Sequence, residues 1–157
     1  MIALAAAIAL TAAAPEPRRL DLTAFFTGRT HADNQLKIVF SSIVPLIVDS
    51  VGKIEGKEFV LVDTVREGDK PVRMRKWVTH EVATGHYSGT LSDAAGPVDI
   101  AISGDRATIR YAMKEGGLKI EQVMRLLPDG RTLSNHVVAR KFGLRFARAD
   151  GTIRKLD

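Results

Sequence analysis

The side chains that could act as nucleophile, base or metal ligand are few. The histidines are His31, His80, His86 and His136, and none of them sits at the i, i+4 spacing of a helical metal pair. His80-Glu81 followed by His86 could meet across a hairpin, but a metal site needs three or four ligands with supporting groups behind them. Separate exposed or cross-strand histidines are the expected arrangement, and no metal or other cofactor is expected. Ser134, His136 and Asp129 supply the residue types of a hydrolytic triad. Ser134 and His136 lie two apart on one strand face, however, where side chains project in parallel and seldom meet as nucleophile and base. There is no G-x-S-x-G elbow, no phosphate-binding loop, no G-x-G-x-x-G and no H-E-x-x-H. Cysteine is absent, which removes disulfides, thiolate chemistry, Cys-ligated zinc and lipid attachment at a cysteine. No catalytic residue is assigned.

Binding chemistry has better candidates. Trp77 shares a strand face with Arg75 and Thr79, Tyr87 stands two residues before Gly89, and Tyr111 shares its face with Ile109 and Met113. A Trp or Tyr buries a large apolar body and keeps one polar atom for orientation, which suits the wall of a ligand cavity as well as a plain core. Trp77, Tyr87 and Tyr111 are therefore the expected wall, with Arg75 or Asn135 fixing a polar end of the ligand. A buried Arg cannot shed its charge, so Arg75 requires a carboxylate, carbonyls or an anionic head group.

The elements that must position these residues are strands. Val98, Ile100 and Ile102 alternate with polar neighbours; so do Ala107, Ile109, Tyr111 and Met113, and again Leu118, Ile120, Gln122, Met124 and Leu126. Period-two alternation marks half-buried strands. Lys57 to Val65 is a further Val- and Phe-rich run. Gly68-Asp69, Gly104-Asp105, Gly116-Gly117, Asp129-Gly130 and Asp150-Gly151 all fall between such runs and read as tight turns. Lys37 to Val48, apolar but broken by Ser41, Ser42 and Pro45, reads as a strand with a bulge. Only Asp21 to Phe26 looks helical. Regular short connections make an antiparallel meander, and closure removes its two exposed edges. The expectation is an all-β chain: a single antiparallel up-and-down barrel of about 8–10 strands with a short N-terminal helical turn.

The 157 residues suit one domain. Residues 1–14, MIALAAAIALTAAA, carry no charge and are too short to span a membrane. They fit the apolar part of a secretory signal with Ala12 and Ala14 at a cleavage site, although no Lys or Arg precedes them. Residues 15–19 read as a stiff linker and 20–157 as the barrel domain. The expected location is periplasmic. The net charge of +5 falls after the apolar segment, and the C-terminal set Arg140, Lys141, Arg145, Arg148, Arg154 and Lys155 is dense enough to face anionic lipid head groups. Nucleic acid is not an expected partner of an exported chain with one Trp, two Tyr and six Phe.

From Leu20 onward the chain resembles the bacterial domain-of-unknown-function family numbered 3833. The resemblance lies in Leu20-Asp21-Leu22-Thr23-Ala24-Phe25-Phe26-Thr27-Gly28, in Arg75, Trp77, Gly85, Tyr87, Gly89, Thr90, Asp93 and Gly96, in Arg110-Tyr111, in Asn135 and in Lys141-Phe142-Gly143. The chain departs from the family pattern at Glu121-Gln122-Val123-Met124, where the family tends to carry an acidic residue and a Trp. The resemblance implies an envelope protein with a lipocalin-like barrel. It associates the chain with gene neighbourhoods of membrane fatty-acid modification, and implies no biochemical activity. Two functions are carried forward: a periplasmic barrel that binds a lipid or another small apolar molecule, and a non-catalytic structural or accessory envelope protein with a filled barrel.

Overall fold

One short helix leads into ten antiparallel strands. The structure, a computed structural model, describes residues 13–157. The segment expected to be a signal peptide lies, apart from Ala13 and Ala14, outside the described residues, and residues 13–19 are exposed without regular structure. The chain joins the domain at Leu20, which is buried and donates its N–H to the Gly104 carbonyl at 2.8 Å. Asp21 then caps helix α1 (Leu22–Phe26) by accepting from the Ala24 N–H at 2.9 Å, satisfying one of the donors that a helix start leaves open. Phe25 and Phe26 are buried, with their rings edge to face at 5.1 Å.

The strands are β1 (Gly28–Ile38), β2 (Ile43–Glu55), β3 (Glu58–Glu67), β4 (Arg73–Ala83), β5 (His86–Leu91), β6 (Val98–Ser103), β7 (Arg106–Ala112), β8 (Lys119–Leu126), β9 (Thr132–Lys141) and β10 (Leu144–Lys155). Each pairs with the next in sequence, and β10 returns to pair with β1 from Thr30↔Lys155 to Ile38↔Ala147. The barrel is closed and has no free edge. Up-and-down order sends the β1–β2, β3–β4, β5–β6, β7–β8 and β9–β10 hairpins to one end. The remaining hairpins, the C-terminus and α1 stand at the other, and α1 closes it.

Alternation decides which side chains enter the lumen. Ile100 and Ile109 are buried in the core, with Ile102 and Tyr111 packed against it. Met113 stands beyond β7, joined to Ala94 by an isolated bridge, and faces the open end instead of the core. Two readings of the sequence need correction. Lys37 to Val48 is no bulged strand: it holds the β1–β2 turn, closed by Ser41 N–H to the Ile38 carbonyl at 3.1 Å. Phe40, with φ of 60°, supplies the positive φ there, so no Gly marks the turn. Asp150-Gly151 is no turn either, since both residues lie inside β10. Gly151 sits opposite Asn34 on β1 and Asn135 on β9. A Cβ at that position would stand 2.0 Å from the Asp33 carbonyl oxygen, so this Gly serves close approach within the sheet.

The closed end depends on a similar approach. A Cβ on Gly52 would lie 2.0 Å from the Phe26 carbonyl oxygen and 2.6 Å from the Phe59 ring, so only a Gly in β2 leaves room for α1. The Lys155 ammonium reaches the end of α1 and donates to the carbonyls of Phe25 at 3.1 Å and Thr27 at 2.5 Å. A cation at a helix C-terminus satisfies the last carbonyls and opposes the dipole. Arg154 and Lys155 therefore stand at the opposite end from Arg140, Lys141 and Arg145, and the C-terminal basic set is split in two.

Candidate functional site

The lumen holds a small inner chamber and a wider vestibule. The chamber has a volume of about 150 Å³, with Leu22, Thr23 and Phe26 of α1 as its floor. That space suits a group of benzene size. Arg75 and Trp77 on β4, Tyr87 on β5, Tyr111 on β7 and Asn135 on β9 all line it. Thus the five residues selected from the sequence share one cavity. Trp77 and Tyr111 meet edge to face with centroids 5.8 Å apart.

A charged cluster occupies one wall. Asp63 is 2% exposed and accepts from three groups: the Ser50 hydroxyl at 2.7 Å, Arg75 Nε at 2.7 Å and Trp77 Nε1 at 2.8 Å. The register explains the meeting, because Ser50, Asp63 and Arg75 are directly opposite one another on β2, β3 and β4. Burial is the largest single influence and opposes the Arg75 charge, but Asp63, Tyr111 and Asp93 together outweigh it and hold the guanidinium pKa above its ordinary value. The guanidinium also lies 5.4 Å from the centre of the Trp77 ring, a cation–π distance. Among the described residues Arg75 makes its side-chain hydrogen bond through Nε alone. Burial pushes the Tyr111 phenol up despite the nearby Arg75.

The opposite wall is neutral. Gln122 Nε2 donates to Asn135 Oδ1 at 2.7 Å, Asn135 Nδ2 donates to Asn34 Oδ1 at 2.9 Å, and Asn34 Nδ2 donates to the Leu46 carbonyl at 3.2 Å. Asn34 and Asn135 lie on strands separated by β10. They can touch because Gly151 between them has no side chain.

Above Arg75 and Tyr111 the barrel opens into a vestibule of about 700 Å³, within the range of about 300–1,000 Å³ usual for ligand pockets. Its apolar wall includes Leu36, Ile38, Met113, Leu118, Ile120 and Phe146. Its cations are Lys70, Arg73, Arg75, Lys114 and Arg148, against the carboxylates Glu67, Asp93 and Glu115. Arg73 pairs with Asp93 at 2.6 Å and Lys70 with Glu67 at 2.6 Å. Arg75 and Arg148 have partners just outside the vestibule, Asp63 at 2.7 Å and Asp150 at 3.7 Å, so its charges are largely balanced.

The residues considered for catalysis are not assembled. Asp129 accepts from the Thr132 hydroxyl at 2.5 Å and the Arg131 N–H at 3.0 Å, which holds its pKa down and fixes the β8–β9 turn. His136 faces out and pairs with Asp150, while Ser134 reaches only the Arg125 carbonyl at 3.5 Å. His80 and His86 are exposed, and no cluster of three or more metal-ligating side chains occurs among the described residues.

Sequence reasoning missed Asp63, Asn34 and Ser50 as lumen groups, and put Gln122 on the inward face by alternation without giving it a role. Asp63 had a visible signal: it is an acid on the inward side of Phe59, Leu61 and Val65 in an otherwise apolar alternation. The amide chain had none, because it exists only through the register of four strands.

Comparison with known proteins gives the following. A family model described as "Protein of unknown function (DUF3833)" matches residues 1–155. No curated protein matches the chain. Among solved structures, the crystal structure of Rv2717c from M. tuberculosis is similar, with a TM-score of 0.64 at 12% identity, over 85% of this chain and 94% of that one. At that identity the likeness is one of fold.

Proposed function

The chain belongs to the DUF3833 family, and from that premise we propose that it is a binding module whose lumen takes a small amphiphile with an anionic end. The single observation that carries this reading is Arg75. Its guanidinium, on a side chain 19% exposed, directs Nε to Asp63 and lines both the chamber and the vestibule, at their junction. The polar end of the ligand enters the inner chamber among Arg75, Tyr111 and Asn135. The apolar part lies along Ile38, Leu118, Ile120 and Phe146 toward the mouth. Trp77 and Tyr87 complete the chamber wall. The uncharged segment Met1–Ala14 supports a periplasmic location for this binder.

The accessory reading, a barrel that acts only through its exterior, draws on a different observation: Asp63 already balances the Arg75 charge. Titration of the purified protein with a fluorescent fatty acid separates the two. The binder reading expects saturable binding that weakens by about tenfold or more in Arg75→Met, the worth of a hydrogen bond to a charged group, while a fatty alcohol of equal length is unaffected by the change. Tyr111→Phe, which removes only a hydroxyl, serves as a second variant should Arg75→Met fold poorly. Absence of saturable binding by wild type to any acidic amphiphile tried, with a clean solvent extract of the purified protein, would lead us to abandon the binder.

A further inference from the structure

We propose that the open end of the barrel docks on an anionic lipid bilayer, inserting Phe40 and Phe142 among the head groups with Lys119, Arg140 and Arg145 against lipid phosphates. The observations are those of the barrel's exterior and do not depend on what the lumen holds. Phe40 and Phe142 are 105% and 94% exposed, at the tips of the β1–β2 and β9–β10 hairpins. These hairpins are neighbours, because β1 pairs with β10. Both rings sit on left-handed backbone, with φ of 60° and 52°. Those are turn positions that Gly or Asn occupies without strain and a bulky side chain does not. Neither ring packs into the core, and the Phe142 ring has only the exposed Lys141 ammonium, 5.8 Å from its centre, against it, so the core gains nothing from a phenylalanine at either place. Ile43 and Leu144 beside them are also exposed.

The charges next to these tips are of one sign. Lys119 is directly opposite Arg140, and Arg140 is directly opposite Arg145, which puts three cations in a row across β8, β9 and β10. Like charges placed opposite one another in a sheet are unfavourable. Among the described residues none of the three has a carboxylate within ion-pair distance. The nearest acid in the groove below the β9–β10 tip is Glu121, and it is taken by Arg110 at 2.9 Å. A row of unneutralised cations beside exposed rings complements a surface that is anionic outside and apolar beneath. The rings would enter the acyl boundary, and phosphates would relieve the repulsion along the row. The vestibule would then open onto the membrane.

The test uses the full chain and sedimentation with vesicles of phosphatidylcholine alone and of phosphatidylcholine mixed with phosphatidylglycerol. Partition onto the mixed vesicles should exceed that onto the neutral ones and fall at raised salt. Arg140→Gln should lower it about fivefold and Arg140→Gln with Arg145→Gln about twentyfold. Phe40→Ser with Phe142→Asn should lower it by about tenfold or more. Phe142→Asn relieves backbone strain, so its melting temperature should stay level or rise, which separates lost docking from lost folding. The fluorescent fatty acid titration should be unchanged in the Phe variants, so failure of docking and failure of the lumen reading are distinct results. Equal partition onto both vesicle types, no partition, or no response to the Phe variants would overturn the proposal. So would loss, in those variants, of self-association or of DNA binding in place of a lipid response.

Discussion

The two ends of the barrel are built from the same antiparallel hairpins and finish in different ways. At the closed end α1 lies across the opening, Asp21 satisfies its start, Lys155 satisfies its last carbonyls, and Gly52 is the clearance that lets it seat. At the open end the hairpin tips carry Phe40 and Phe142 into solvent, and Lys119, Arg140 and Arg145 face one another. Those polar groups at the first end are matched within the chain; the two rings and the Lys119–Arg140–Arg145 row at the second are not. The difference separates groups that hold the fold together from groups left facing solvent.

The sharpest way to break this comparison is to add one methyl group at each end. In Gly52→Ala the new Cβ must displace the Phe26 carbonyl or the Phe59 ring, and unfolding in denaturant should show a loss of about 3 kcal/mol. Gly96, in the β5–β6 connection at the open end, would meet nothing within 4 Å, and Gly96→Ala should change stability by no more than about 0.5 kcal/mol. Equal effects would show that α1 is not seated as described. A smaller effect is expected from Lys155→Met, which keeps the apolar stem and removes the donor. It should destabilise by about 1 kcal/mol, with faster hydrogen exchange at the amides of α1 and no change at the open hairpins.

The smallest effect is a matter of pH. Burial pushes the phenols of both Tyr87, near the floor, and Tyr111, below the vestibule, above their usual range. The unfolded phenols ionise near about pH 10, so the folded chain holds these protons more tightly. The resulting stability is fully present below that pH and is lost as pH rises through the folded values. Absorbance titration of tyrosinate should therefore lag that of the unfolded chain. The lag should shorten in Tyr87→Phe and in Tyr111→Phe, and Tyr111 should ionise later still in Arg75→Met, where the opposing charge is gone.

Much of this architecture could be read in the chain. The inward sets ending in Ile102, Tyr111 and Leu126 follow from alternation alone, because a sheet with one buried face has a period of two. What escaped did so for physical reasons. Gly151 looks like punctuation, since a Gly that permits a turn and a Gly that permits close approach are the same residue type. The β1–β2 turn was hidden because Phe40 takes a backbone position that usually shows itself as Gly. Arg154 and Lys155 share β10 with Arg148, yet that one strand carries them to the far end. Of the chamber, the aromatic and Arg positions were accessible from pattern, and Asp63 would have been. The Gln122–Asn135–Asn34 chain was not, because side chains 101 positions apart meet only through strand register.

The pairing of β10 with β1 bears on the order in which the molecule can form. Thr30 must wait for Lys155, so the first strand keeps an open edge until nearly the whole chain is available. Bringing those partners together closes a loop spanning most of the sequence, an entropic cost that no local hairpin can lower, and topologies of this kind fold slowly. A chain still emerging from a ribosome is thus an incomplete ribbon that exposes its future lumen. Synthesis must reach β10 before there is any inside at all.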